Sequence, residues 1–263
     1  MATQSAIITV MIKAAEKAGR GLKRDFGEVE QLQVSKKGPG DFVSVADHKS
    51  EKLIFEELSK ARPGYAFLME EGGQQGDPKA ENRFIIDPLD GTTNFLHGLP
   101  HWCISIAYEN KGTIIAGVIH DPIKDETFWA EKGKGAYSNH KRLRVSGRKD
   151  LTLAMASFGH HHHEKMDLWE AQNREVAKAG VSMRRLASGA LDLAYVAAGR
   201  LDAYWENGLK PWDVAAGLLL VAEAGGTLSH INGKSYTLGD GDVLATNTAL
   251  HMPMVKLLKK AVA

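Results

Sequence analysis

The chain has 263 residues, 43% of them hydrophobic and 25% charged, enough to bury one large core or two smaller ones. Its 33 Lys and Arg balance 32 Asp and Glu, so no bulk charge draws it to nucleic acid or to an acidic membrane surface. No uninterrupted apolar stretch is long enough to cross a bilayer, and a single cysteine, Cys103, excludes an intrachain disulfide and fits a reducing, cytoplasmic setting.

Ile7, Ile8, Val10, Met11, Ala14, Ala15, Ala18 and Leu22 recur at helical spacing, with Lys13, Glu16 and Lys17 between them. This predicts an amphipathic surface helix rather than a secretory leader. Residues 36–41, Lys-Lys-Gly-Pro-Gly-Asp, read as a loop. Ser44 is placed to cap a second helix that runs to about Lys60 and stops before Arg62-Pro63-Gly64. A short strand is predicted at 66–69, then a polar segment at 74–82 and a strand at 84–86. Strand-like runs at 101–108, 113–120, 127–131 and 142–145, with turns at Asn110-Lys111-Gly112 and Lys132-Gly133-Lys134-Gly135, predict an antiparallel meander. Cys103 lies in one of these apolar runs and reads as a small core residue.

Near Arg148 the pattern changes to alternating strands and helices. Strands are expected at 151–158, 181–186, 201–206, 226–231 and 242–246. Helices are expected at 164–179, 188–198 and 213–224, the last stopped by Gly225-Gly226, with one more at the end of the chain. The expectation is an α+β half, residues 1–147, joined without a long linker to an α/β half, residues 148–263. There is no internal repeat.

The most informative stretch is Ile85-Ile86-Asp87-Pro88-Leu89-Asp90-Gly91-Thr92-Thr93-Asn94-Phe95. Two carboxylates three residues apart end an apolar strand, and a Gly-Thr-Thr turn follows. Hard oxygen ligands beside backbone N–H groups suit a Mg²⁺–phosphate site. Further acids stand at Glu70-Glu71, Asp47 and Asp213, the last at a predicted helix N-terminus that favours its ionised form. Taken alone, the Asp-Pro and Asp-Gly pairs would be turns, Asp213 an N-cap, and Glu71 a structural acceptor. The run His160-His161-His162-His163 reads as a native loop, since adjacent histidines cannot all face one ion and Mg²⁺ prefers oxygen. Trp102, Trp129, Trp169 and Trp205 are spaced singly, as core or interface residues are.

Asp87–Phe95, together with Trp212-Asp213-Val214-Ala215-Ala216-Gly217 and Glu223-Ala224-Gly225-Gly226, resembles the two signatures of the inositol monophosphatase family, Mg²⁺-dependent and lithium-sensitive. The resemblance runs almost end to end, and Ala190–Arg200 with Trp205-Glu206 is similar to the bacterial branch. It implies a layered α/β/α/β/α sandwich of the inositol monophosphatase and fructose-1,6-bisphosphatase type, usually a homodimer. It further implies that Glu70, Asp87 and the Leu89 carbonyl hold one Mg²⁺, and that Asp87, Asp90 and Asp213 hold a second, with a third weaker ion near Glu70 and Mn²⁺ as a substitute. Thr92 and Glu70 would activate water, and Gly91 and Thr92 would hold phosphate oxygens. Asp90 and Asp213 would border the substrate, Glu206 would accept ring hydroxyls, and Arg184 would lie near the anion. The histidine loop would stand near the mouth of the site.

Two departures are visible. Ala187-Ser188-Gly189 exchanges the first and third members of the family's usual Gly-Ser-Ala, and Met69 replaces a small residue. The implied activity is phosphomonoester hydrolysis of inositol 1-phosphate, a small phosphate ester, with no membrane and no direct nucleic-acid ligand. The rivals are other phosphatases of the superfamily, for fructose 1,6-bisphosphate, 3′-phosphoadenosine 5′-phosphate, histidinol phosphate or NADP. A further rival is a regulatory partner in transcription or RNA processing.

Overall fold

A computed structural model describes residues 4–28, 34–38, 41–159 and 166–261; the histidine run at 160–163 lies outside these. Helix α1 (Ala6–Phe26) starts at Ser5, whose hydroxyl accepts from the Ile8 N–H, and buries Ile8, Met11, Ala14, Ala15, Ala18 and Leu22. The expected loop at 36–41 is corrected in part: β1 (Val34–Gly38) and β2 (Asp41–Ser44) pair as an antiparallel ribbon. A two-stranded ribbon is held by backbone pairing and needs no apolar alternation, so the Lys- and Gly-rich segment carried no strand signal. Helix α2 (Val45–Ala61) begins with a capping box in which the Ser44 N–H donates to Asp47 Oδ2 at 2.8 Å.

The first sheet holds β3 (Ala66–Met69), β4 (Gly73–Gln75), β5 (Asn82–Asp90), β6 (Cys103–Asn110), β7 (Thr113–Asp121), β8 (Glu126–Glu131), β9 (Gly135–Ser138) and β10 (Lys141–Arg142). Its order is β10-β9-β8-β7-β6-β5-β3-β4, antiparallel except where β3 runs beside β5. The meander turns where expected, with Lys111 at φ 51° and Gly112 at φ 74°. Residues 143–145, expected in a strand, fall outside it, and β4 occupies part of the segment read as irregular.

The second sheet is built from β11 (Met155–Phe158), β12 (Ser182–Arg184), β13 (Ala203–Glu206), β14 (Thr227–Ser229) and β15 (Val243–Thr246), in the order β12-β11-β13-β15-β14. β12, β11 and β13 are parallel, and β15 runs against both of its neighbours. Leu151–Leu153, expected as strand, is a 3-10 turn because Asp150 caps it by accepting from the Thr152 N–H. Between these strands lie α4 (Met166–Lys178), α5 (Gly189–Ala197) and α6 (Pro211–Glu223), and α7 (His251–Lys260) follows.

Alternation along the strands assigns the layers. On β5, Phe84 and Ile86 pack with α1 and α2, whereas Ile85 packs with α5 and α6. On β13, Tyr204 faces α5 and α6, whereas Ala203 and Trp205 pack with α4 and α7. The result is the α/β/α/β/α sandwich, with α5 and α6 buried between two sheets. Among the described residues no helix is long and apolar enough to cross a membrane.

The middle layer is tight. A Cβ on Gly117 of β7 would lie 2.9 Å from the Ala216 Cα and carbonyl oxygen of α6. Gly117→Ala is expected to lose about 1–3 kcal/mol by overpacking. Urea unfolding checks this, and an unchanged midpoint would mean that α6 does not seat against β7.

Candidate active site

In a regular strand, residues three apart face opposite sides. Asp87 and Asp90 escape this rule. Asp87 pairs with Ser105 and Asp90 with Cys103, so three steps on β5 oppose two on β6. The extra residue is a β-bulge, and Pro88, with no N–H to contribute to a ladder, fits within it. Both carboxylates therefore turn toward the middle layer. The bulge is held from α2, where Ser50 Oγ donates to the Pro88 carbonyl at 2.8 Å. The Leu89 N–H donates to Asp87 Oδ1 at 3.0 Å.

Asp90 is tied to the start of α5. Its Oδ2 accepts from Ser188 Oγ at 2.7 Å and from the Ala190 N–H at 2.8 Å. Gly91 follows at φ 92°, and a Cβ there would meet the His101 carbonyl at 3.0 Å, so only glycine makes this turn without strain. The chain then enters α3 (Thr92–Leu96). Thr92 Oγ1 lies 3.0 Å from the Leu89 carbonyl and 3.1 Å from Asp47 Oδ1, with one proton to give. Glu70 follows β3, with its N–H on the Ile86 carbonyl at 3.2 Å. Asp213 is the third residue of α6, behind Pro211, and its Oδ2 accepts from the Lys210 N–H at 2.7 Å.

Glu70, Asp87, Leu89, Asp90, Gly91, Thr92, Glu206 and Asp213, all expected from the sequence, line one cleft. Arg184 does not. It is exposed at the end of β12 and donates to the Met183 carbonyl and to Ser182 Oγ, while its neighbour Arg185 lines the cleft. Successive residues at a strand end point to opposite sides, which sets these two neighbours apart. Ala187, Ser188 and Gly189 line the cleft too, as the resemblance implies, whereas Asp192 and Gly159, also on its wall, were not anticipated. Asp192 Oδ2 accepts from Ser157 Oγ at 2.7 Å. Asp47 caps α2 and reaches Thr92, a contact across 45 residues of sequence that no local pattern announces.

Of the two exchanged residues only Gly189 has a local cause; nothing in the structure explains Ala187. Ala187 sits at φ 60°, a left-handed conformation that costs an L-residue about 1–2 kcal/mol. Gly189 stands where a Cβ would lie 2.6 Å from Tyr204 Oη.

Among the described residues, six acids line the cleft and Arg185 is the one basic residue of its lining. Burial pushes the Asp87 carboxyl well above the ordinary carboxylate value, and the charges of Glu70, Asp90 and Asp213 push it further. Asp213 is raised well above that value by burial, against the Lys210 hydrogen bond, with Asp90, Glu70 and Glu206 adding to the rise. Burial also raises Asp90, opposed by Ser188 and Ala190. Buried carboxylates that repel one another fit a divalent cation. Among the described residues no three His, Cys, Asp or Glu side chains already close on one metal position. An open, oxygen-lined cleft suits Mg²⁺, which keeps waters and takes few carboxylates together with phosphate oxygens.

The sequence profile described as "Inositol monophosphatase family" matches residues 3–263. The chain is 53% identical over 262 residues to an "Inositol-1-monophosphatase" of Mesorhizobium japonicum, covering 98% of this chain and 97% of that protein. It is 41% identical over 248 residues to the "Nus factor SuhB" of Pseudomonas aeruginosa, covering 92% of each. The crystal structure of the extragenic suppressor protein suhB from Bartonella henselae superposes with a TM-score of 0.95 at 49% identity, covering 97% of this chain and 99% of that one.

A carboxyl raised by folding contributes stability that is fully present below its unfolded value, 3.8 for Asp87, and lost as pH rises through the folded value. In EDTA near neutral pH, Asp87→Asn is therefore expected to be more stable than wild type, with the gap closing as pH falls toward 3.8. Adding Mg²⁺ should stabilise wild type and leave the variant nearly unmoved. Denaturant titrations with and without Mg²⁺ check both; a variant less stable in EDTA would mean that Asp87 is not electrostatically strained.

Proposed function

Because the chain belongs to the inositol monophosphatase family, we propose that it hydrolyses the phosphate monoester of a polyol, myo-inositol 1-phosphate foremost, with Mg²⁺ as cofactor. The observation that carries this reading is the meeting of Glu70, Asp87, Asp90 and Asp213, from three separate parts of the chain, beside the Gly91-Thr92 turn. Glu70, Asp87 and the Leu89 carbonyl would hold one ion, and Asp87, Asp90 and Asp213 a second. When bound, the ions lower the pKa of an attacking water and neutralise the departing alkoxide.

The chain's own groups do the rest. Thr92 gives its proton to Asp47 or to the Leu89 carbonyl, so the lone pairs of its hydroxyl are left to accept from a water. Glu70, on the same cleft, would take the proton as general base. The N–H groups of Gly91 and Thr92 would hold phosphate oxygens where charge develops. On the far side Glu206 would accept hydroxyls of the alcohol, and Arg185, in place of Arg184, would attract the anion. The same reading carries inhibition by Li⁺ and by excess Mg²⁺, replacement of Mg²⁺ by Mn²⁺, a homodimer and a cytoplasmic setting.

Relatives called Nus factor SuhB, such as the one at 41% identity, favour a second reading: a protein contact in transcription or RNA processing. A variant without turnover separates the two. Asp90→Asn is expected to abolish hydrolysis and keep the fold; full rescue of a deletion strain by that variant would place the contact above the catalysis.

Initial rates across a panel of phosphate esters test the main reading. Inositol 1-phosphate is expected to lead in Mg²⁺, with loss in EDTA and inhibition by Li⁺; equal rates in EDTA would overturn it. Thr92→Val is expected to lower kcat by roughly 10²-fold or more, because the water would no longer be oriented for proton transfer to Glu70, with an unchanged circular dichroism spectrum. A near-normal kcat would remove Thr92 from the chemistry.

A further inference from the structure

Tyr204 and Glu206 lie two residues apart on β13, so their side chains share one face of the strand. Tyr204 is fully buried in the middle layer, and its Oη donates to Glu206 Oε2 at 2.6 Å. Glu206 lines the cleft and Tyr204 does not. Two glycines close around the pair. A Cβ on Gly189, at the start of α5, would lie 2.6 Å from Tyr204 Oη. A Cβ on Gly159, after β11, would lie 2.1 Å from Glu206 Oε2. Any other residue at either place would have to displace the hydroxyl or the carboxylate.

We propose that Tyr204 is a positioning residue that clamps one oxygen of Glu206, leaving the other to select the alcohol half of the substrate by accepting from its hydroxyls. The physical reason is economy of acceptors. A buried phenol must find a partner, and here the partner is the carboxylate itself. With Oε2 engaged and the side chain boxed by Gly159 and Gly189, Glu206 keeps one orientation instead of several. A group that donates hydrogen bonds then gains most, and an alcohol with no hydroxyl to offer gains nothing. The glycine at position 189 also finds its reason: it makes room for the hydroxyl that sets Glu206. The inference rests on the reading of Glu206 as the acceptor for a polyol.

The test compares wild type, Tyr204→Phe, Glu206→Gln, Gly189→Ala and the double variant Tyr204→Phe/Gly189→Ala on two substrates in Mg²⁺. One is myo-inositol 1-phosphate; the other is 4-nitrophenyl phosphate, whose leaving group carries no hydroxyl. Tyr204→Phe is expected to raise KM for the inositol ester roughly 3- to 10-fold, the scale of one net hydrogen bond, with kcat and the nitrophenyl reaction nearly unchanged. Gly189→Ala should act in the same direction, and the double variant should be no worse than the weaker single one, since both remove one contact. If Tyr204→Phe slows both substrates alike, or lowers the melting temperature without splitting them, the hydroxyl is only structural and the proposal fails. Additive effects in the double variant would break the link to Gly189. Glu206→Gln keeps the two levels apart. If it leaves KM for the inositol ester unchanged, the reading of Glu206 is wrong; if it raises KM while Tyr204→Phe does not, only the positioning role is wrong.

Discussion

Carboxylates gathered in one buried cleft are the constraint around which this molecule is arranged. Withdrawing one ion from water costs several kcal/mol even after relaxation, and mutual repulsion adds to that. The fold meets part of the demand with helix N-termini. Asp213 stands in the first turn of α6 and Asp90 accepts the Ala190 N–H at the start of α5, while Asp47, which reaches the cleft only through Thr92, stands in the first turn of α2. Each helix end offsets about 0.3–1 kcal/mol, and up to ~2 where partly buried. That is less than the desolvation it opposes. The difference appears as the raised carboxyls of Asp87, Asp90 and Asp213. A site left short of positive charge in this way is suited to an exogenous cation, and a chain with balanced surface charge can carry such a local deficit without becoming acidic as a whole.

The geometry follows from one inserted residue. Without the bulge between Asp87 and Asp90, one of the two carboxylates would project toward α1 and α2, into the apolar layer formed by Phe84, Ile86 and Leu89. With it, both join the layer that holds α5 and α6. Ser50 on the Pro88 carbonyl and the Leu89 N–H on Asp87 fix the bulge from both sides. The N-terminal helices thus support the acids from behind the sheet although they lie on its opposite face. The same path places Asp47 against Thr92.

What the sequence made legible was whatever local chemistry determines. Ser44 capped its helix because a hydroxyl before an apolar run has a nearby N–H to accept. The meander turned at Lys111-Gly112 because only certain residues tolerate a positive φ. Of the six acids of the cleft all but Asp192 were legible through the resemblance their spacing carries. The ribbon β1–β2 and the short β4 were hidden because their pairing leaves no apolar period. That Arg185 rather than Arg184 lines the cleft was equally hidden, because facing at a strand end turns on a single residue. The clamp on Glu206 was invisible for a different reason. The hydroxyl, the carboxylate and the two glycines that admit them lie on β13, after β11 and at the start of α5, and only tertiary packing brings them together.

The cleft divides along the two sheets. On the proposed reading the phosphate would meet the end of β5 and the turn after it, whose conformation is tied to the bulge and to the positive φ of Gly91. The alcohol would meet the ends of β11 and β13 and the start of α5, where Gly159, Glu206 and Ser188 line the same cleft. Asp90 belongs to both, since it stands on β5 and accepts from Ser188 and Ala190. A change at position 187 or 189 therefore reshapes the second sheet's contribution while the bulge keeps its form. On that reading the division would let one phosphate chemistry serve different alcohols, provided the hydrogen bonds that reach Asp90 from α5 are kept.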